Sequence, residues 1–474
     1  MIMRSYIFTA PLLCFLSFVG LAMPRPTEAQ SCTHYASPTG ASNGSSASLP
    51  FKIANFWAVA KGGSTLCLLD GQYTGSSSMI NPPQNLSGTA SAPITVRALN
   101  DGKVTINGQG SAQPVRLSYN HYFIVEGINA RSSVASVVSI SNSTNNIVRR
   151  VAAWDAADGN HTIYGIHSSK YTLLEDVAGW GIARKIYESS QGGDNTTIRR
   201  AWGRWEGSHV VGPKMTYTMA YNNVNMIIEN AIGTWSGERM KQTYTLLDYY
   251  GNPWTGNGAG TYSDYRVDQP YGIFGNDGFT GTDKNANSKL LGSIAYVRAA
   301  DRFAAAQAVF MTKIDSFQIA NAVAYVEPGS YTSKMPFALY NLQTSTSTNL
   351  VASNLTAIGG AAPFFGTEWK KSAIVQGASP TAVANVFSST SGANVCYRFK
   401  NGAATSEPLW PWPMNQRIID ATSESGRAAV DVTKTIESML GTIPAACKNG
   451  TTVAPTPTPV ASTPTAPINL TVTQ

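Results

Sequence analysis

The sequence predicts an all-β chain built as a parallel β-solenoid, and three observations carry that prediction. The first is a repeat. Segments starting at Asn145 (NNIVRRVAAW), Lys170 (KYTLLEDVAGW), Asn195 (NTTIRRAWGRW) and Asn225 (NMIIENAIGTW) share one pattern. Each has a polar start, a short aliphatic run, a charged or polar pair, a small-residue step and then Trp. Fainter copies start at Asn120, Ser288, Asp315 and Thr348. The apolar residues before the polar pairs serve as anchors. They are Val125, Val148, Leu174, Ile198, Ile228, Leu291, Ile319 and Ala352, spaced 23, 26, 24, 30, 63, 28 and 33 residues apart. A period of this size signals stacked supersecondary units.

The second observation is the character of each run. It is four to six residues long, rich in Ile, Val and Leu, and bounded by Asn, Gly, Ser and Asp, which is strand punctuation. The third is an absence: no helix-length pattern of period 3.6 sits between the copies, and the regular Leu frame of leucine-rich repeats is missing. The β-branched runs and the many Gly and Asn exclude ankyrin and TPR-type helical repeats. A coil of two or three short strands, pairing only with the coils beside it, accounts for all of this.

The remaining elements follow in chain order. Residues 1–29 have Arg4, an apolar run from Tyr6 to Met23 and small residues before Gln30, as a secretory signal peptide does. Cys14 leaves with that segment, so Cys32, Cys67, Cys396 and Cys447 remain. Four cysteines in a secreted chain allow three pairings. Stapling at both ends of the array favours Cys32–Cys67 with Cys396–Cys447. Residues 30–393 form the solenoid. The 63-residue step holds residues 240–287, dense in Gly, Tyr, Asp, Asn and Trp, and reads as one weak coil plus a long loop leaving the stack. Residues 394–450 read as a C-terminal cap. They contain Trp410 and Trp412, assigned to capping, and a helix over Thr433–Leu440 closed by Gly441. Residues 451–474 are a Pro/Thr-rich linker or tail whose end looks like the first strand of a fibronectin type III module.

The N-terminal segments THYASPTGASNG, LPFKIANFWAVAKGGSTLCLLDGQYTG and APITVRALNDGKVTINGQG carry a family resemblance. They resemble the opening of secreted right-handed parallel β-helix proteins of the pectate-lyase-like superfamily. That resemblance implies a capping helix over residues 51–61 and first coil strands over 65–73 and 94–106. The superfamily is rich in polysaccharide lyases and glycoside hydrolases, some of which use calcium. The polygalacturonase signatures, the Trp-Ile-Asp-His pattern and the Asn-Gly-x-Glu-Ser motif are absent.

Charge locates the candidate site. Only 13% of residues are charged and the net charge is +7, a modest basic excess that suits an acidic partner. There is no Lys/Arg run to suggest nucleic acid, and no apolar stretch after the signal is long enough to span a membrane. The expected partner is an acidic polysaccharide, bound by a monomer. Ionisable residues concentrate between Asp155 and Arg302. Coils in register, about 4.8 Å apart, would stack them in a column. A lyase needs a cation to neutralise the substrate carboxylate, a base and an acid. Lys185 or Lys214 is the expected base, since Arg184 beside Lys185 disfavours its ammonium form. Arg204 and Arg239 are expected to clamp carboxylates, and His209 to act as acid. Glu206 and Glu238 are the candidates for a metal, calcium being the expected ion, or for a glycosidase pair. Arg298 and Arg302 join the substrate-binding set. So do Trp154, Trp180, Trp205 and Trp235, which lie 6, 6, 7 and 7 residues past their anchors. That one-residue shift turns a strand side chain to the opposite face, and at least two are expected on the cleft. A glycoside hydrolase on the same face and a non-catalytic glycan-binding adhesin are the alternative functions.

Overall fold

The chain forms a right-handed parallel β-helix in the computed structural model. The structure describes residues 31–212, 214–236, 238–239, 244–256, 259, 261–262, 268–274, 285–297, 307–312, 314–327, 335–339, 349–377, 387–388, 398–399 and 412–440. Cys396, Cys447, Trp410, Arg298, Arg302, the signal segment and the tail lie outside the described residues.

Each coil has three legs. The first two are one strand broken by a sharp bend, as in Ile147–Trp154, Leu173–Ile182, Thr197–Gly207 and Ile227–Trp235. The bend falls on a residue in the left-handed region, successively Arg150, Asp176, Arg200 and Asn230. Each bend is the second member of the polar pair noted in the repeat. Asn and Asp tolerate this conformation best; the two Arg hold it within ion pairs, Arg150 with Asp101 and Arg200 with Asp176. The third leg forms a separate nine-stranded sheet that includes Thr162–His167, Lys185–Ser190, Lys214–Ala220 and Asp268–Phe274.

The anchors stack as expected, with one correction. Val125, Val148, Leu174, Ile198 and Ile228 are in register, but Ile228 pairs with Leu290, not Leu291. Leu290 is fully buried, and it is the residue that fills the interior column.

The small-residue step has a steric cause. Tyr164, Tyr187, Tyr217 and Tyr271 stack inside the helix with ring centroids 4.9, 4.6 and 4.8 Å apart. Facing them across the interior are Gly179, Gly203 and Gly233, where a Cβ would lie 3.2 Å from Tyr164, 3.0 Å from Tyr187 and 2.8 Å from Tyr271 respectively. Each tyrosine hydroxyl donates to a second-leg carbonyl, as Tyr187 does to Trp202 at 2.8 Å, so burial leaves no phenol unpaired.

Three other expectations are corrected. The N-terminal helix spans only Ile53–Phe56, because the chain turns to bring the Gly63 amide to the Ala92 carbonyl. Residues 240–287 add no coil. Asp268–Phe274 pairs with Lys214–Ala220 and is the third leg of the coil that begins at Ile227, so the excursion is a loop within one coil. The helices Asn415–Glu424 and Val432–Leu440 lie along the flank of the stack, where Met414, Ile418, Ala421, Val432 and Ile436 pack on outward second-leg residues. At the N-terminal end, Cys32 and Cys67 form the expected disulfide, with Cα atoms 5.6 Å apart.

Candidate functional site

The site residues divide among three places. The first is the outer face of the third leg. Lys185 opens its strand and Glu188 follows three residues later, and both point outward because Ile186 and Tyr187 both turn into the core. Lys185 Nζ donates to Glu188 Oε1. Neighbouring coils place Thr162 and Met215 beside Lys185, and Gly165 and Thr218 beside Glu188. His167 sits on the same face, its Nδ1 2.7 Å from Ser190 Oγ. Arg184 donates to Asn160 Oδ1 at 2.6 Å and stacks on the Tyr249 ring at 4.7 Å. Tyr221 closes the group, with Lys185 Nζ 5.8 Å from its ring centroid.

Electrostatics sets this cluster apart. Burial pulls the Lys185 ammonium below the usual lysine range, and Arg184 adds to the effect against the opposing pull of Glu188. Burial pushes the Glu188 carboxyl upward, but Lys185, His167 and Arg184 outweigh it and hold the group ionised. Burial also lowers His167. The result is an amine whose ammonium form is less favoured than in water, beside a permanent guanidinium.

The second place is the rim between the second and third legs. His209 Nδ1 lies 2.6 Å from Asp158 Oδ2, and Ser208 Oγ donates to Asp158 Oδ1 at 2.8 Å. The segment from Tyr244 to Gly256 roofs this rim. Leu247 donates to the His209 carbonyl at 2.9 Å, and Val211 donates to the Leu247 carbonyl at 2.8 Å. Gly212 joins the two places. Its φ is +82°, and a Cβ there would lie 2.7 Å from the Arg184 guanidinium and 3.3 Å from Tyr249 Oη. Only glycine suits both the conformation and the approach.

The third place is the covered flank. Arg204 donates to Glu206 Oε1 at 2.7 Å, and Arg427, between the two C-terminal helices, donates to Glu206 Oε2 at 3.0 Å. Glu238 lies 3.4 Å from Arg204, and Arg239 pairs with Asp155. Four of the expected site residues lie here, and each is paired within this chain. Arg204 and Arg239 bind carboxylates of this chain. Both oxygens of Glu206 accept from guanidinium groups, and Glu238 faces Arg204 and Arg427. Among the described residues no group of three or more His, Cys, Asp or Glu is placed to hold a metal ion. Lys214 is fully buried, and its strand pairs it with Asp268.

The tryptophans divide as the one-residue shift requires. Trp154 and Trp180 pair with each other and point outward, with rings 4.8 Å apart. Trp205 and Trp235 pair and stack inside at 5.0 Å. None of the four is more than 2% exposed. The C-terminal helices cover the outward pair, which corrects their assignment as a substrate platform. Sequence reasoning missed Tyr221, Tyr249, Asn160 and His167. The His167 signal was legible, since it lies one coil before Ser190.

Neither a protein-family profile nor a curated protein matches the chain. Solved structures do. A pectate lyase aligns at a TM-score of 0.47 and 14% identity, over 71% of this chain and 78% of that one. An alginate lyase from Paenibacillus aligns at 0.42 and 15%, over 73% and 99%. A surface adhesin of Streptococcus pneumoniae aligns at 0.40 and 10%, over 68% and 84%. The likeness is one of fold.

Proposed function

We propose that the protein is an extracellular carbohydrate-active β-helix enzyme, a polysaccharide lyase that cleaves a uronic-acid-containing polymer by β-elimination. One observation carries this reading: Lys185, a buried amine held below its ordinary range, next to Arg184 on the outer third-leg face. Arg184 neutralises the substrate carboxylate, which acidifies the adjacent carbon. Lys185 takes that α-proton, a carbon–carbon double bond forms, and the glycosidic C–O bond breaks. A neighbouring acid returns a proton to the leaving oxygen. Glu188 balances the ammonium that results, and Tyr249 and Tyr221 supply ring faces at the margin. The names of the aligned lyases agree with this reading, which rests on the cluster and not on them.

The test is incubation with a panel of polyuronates and neutral glycans, with and without calcium, following ultraviolet absorbance and reducing ends together. Rising absorbance on one uronan supports the proposal. Reducing ends without absorbance point to a hydrolase, and retention on a glycan column without either points to a binding protein. Each of those two results overturns it.

A further inference from the structure

We propose that Asp158 is a positioning residue that fixes His209 in one tautomer, with Nε2 presented as the proton-transfer atom beneath the Tyr244–Gly256 segment. The inference deepens the lyase reading and rests on it for its substrate, though not for its geometry. Asp158 is held from three directions: the His209 ring, the Ser208 hydroxyl and the His209 amide at 3.0 Å. These bonds orient the carboxylate before it meets the imidazole. A carboxylate at 2.6 Å from Nδ1 requires the proton to sit on Nδ1, since two acceptors facing each other would repel. The neutral ring then carries its lone pair on Nε2.

That Nε2 is buried and has no hydrogen-bond partner among the described residues. Leaving a buried polar atom unpaired costs on the order of 1–3 kcal/mol, and such atoms call for an explanation. A ligand hydroxyl, donating to the Nε2 lone pair, supplies one. The Tyr244 ring, 5.1 Å from the imidazole, limits its rotation. Gly212, three residues after His209, lies against the Arg184 guanidinium. His209 therefore stands where it can protonate an oxygen leaving a sugar whose carboxylate Arg184 holds. Nε2 first takes up a proton from water to give the imidazolium, whose charge the Asp158 carboxylate offsets; that proton then passes from Nε2 to the leaving oxygen, and the ring returns to its neutral Nδ1–H form.

The tautomer is directly measurable. The chain has five histidines, and imidazole ¹⁵N-labelled protein resolves their ring nitrogens above the imidazole titration range. His209→Gln, or His209→Asn if the first does not fold, identifies the His209 signals by their loss. The expected result is a bare Nε2 and a protonated Nδ1, shifting toward Nε2–H in Asp158→Asn. A wild-type ring protonated at Nε2, or an Asp158→Asn ring unchanged from wild type, overturns the proposal. Neither reading needs a substrate, so failure here is distinct from failure of the lyase assignment. Once a uronan is turned over, Asp158→Asn is expected to lower kcat by about 10²-fold or more with little change in KM. Equal losses in both would overturn the positioning role.

Discussion

Two faces of this β-helix carry charge in opposite ways. On the first leg, Arg97, Glu126, Arg149, Glu175, Arg199 and Glu229 fall in register, one per coil and alternating in sign. Arg149 pairs with Glu126 at 2.8 Å and Arg199 with Glu175 at 2.6 Å. At the adjoining bend, Arg200 bridges Glu175 and Asp176 at 2.7 and 2.6 Å. Each of these six coils contributes one member, so the ladder ties coil to coil. On the third leg, the charges do not propagate. Lys185, Glu188 and His167 belong to two coils, and the equivalent positions in the neighbouring coils are uncharged: Thr162 and Met215, Gly165 and Thr218, Ser141 and Ser190. A charge pattern that repeats with the fold serves the fold. A pattern confined to two coils, with a depressed amine and uncharged neighbours, does not repeat with the fold.

The sharpest way to break this comparison is to remove one charge from each face. Lys185→Ala is expected to abolish β-elimination by about 10²–10⁴-fold, measured by ultraviolet absorbance, while the protein stays folded. Arg199→Ala is expected to leave kcat within twofold or so of wild type. If Arg199→Ala also silences the enzyme, the first leg belongs to the site and the distinction fails.

Next in size is the covered flank. Trp180 is fully buried beneath the C-terminal helices, and its Nε1 reaches Ser425 Oγ at 3.4 Å. Trp180→Ala is expected to cost about 3–5 kcal/mol of stability, read from denaturant unfolding, without weakening glycan binding under conditions where the variant is folded. A large loss of binding with unchanged stability would restore Trp180 as a sugar platform.

Arg200→Ala is expected to cost less, about 1–3 kcal/mol, because Glu175 keeps Arg199 as a partner. The same substitution frees the left-handed bend at position 200 from its ion pairs. Unfolding free energy decides the matter, and a neutral result would mean that the ladder is ornamental at this rung.

The fold was legible because its cause is periodic. The repeat of aliphatic run, polar pair, small residue and Trp encodes an interior column, a left-handed bend and room for a tyrosine ring. The tyrosine stack itself was not visible, since Tyr164, Tyr187, Tyr217 and Tyr271 lie in a leg whose spacing varies with the turns between. The one-residue offset separating Trp154 and Trp180 from Trp205 and Trp235 did signal opposite faces. It said nothing of the helices that arrive from residues 412–440 to cover one of them. The site was legible only as a charge density. Arg204 and Glu206 lie closer in sequence to Lys185 than His209 does, yet a partner more than 200 residues away, Arg427, claims Glu206.

The finest distinction between the two faces is the sign of a pH effect. Glu188 has its carboxyl pulled below the ordinary 4.5 despite burial. Its contribution to stability is therefore present above pH 4.5 and lost as the pH falls through the folded value. Glu229 ends the ladder, where the next coil offers Leu291. The Arg199 guanidinium is 4.0 Å away, and Glu229 Oε2 has no hydrogen-bond partner among the described residues. Burial consequently raises its carboxyl above 4.5, outweighing Arg199 and Arg200. Its ionisation opposes folding, and the cost grows as the pH rises from 4.5 through the folded value. Glu188→Gln should thus lower Tm at neutral pH and flatten its acid limb, whereas Glu229→Gln should raise Tm slightly at neutral pH and leave it unchanged in acid. Melting curves between about pH 3 and pH 8 test both. Shifts of the same sign would mean that the terminal rung is as well paired as the third-leg cluster, and the contrast between the faces would be lost.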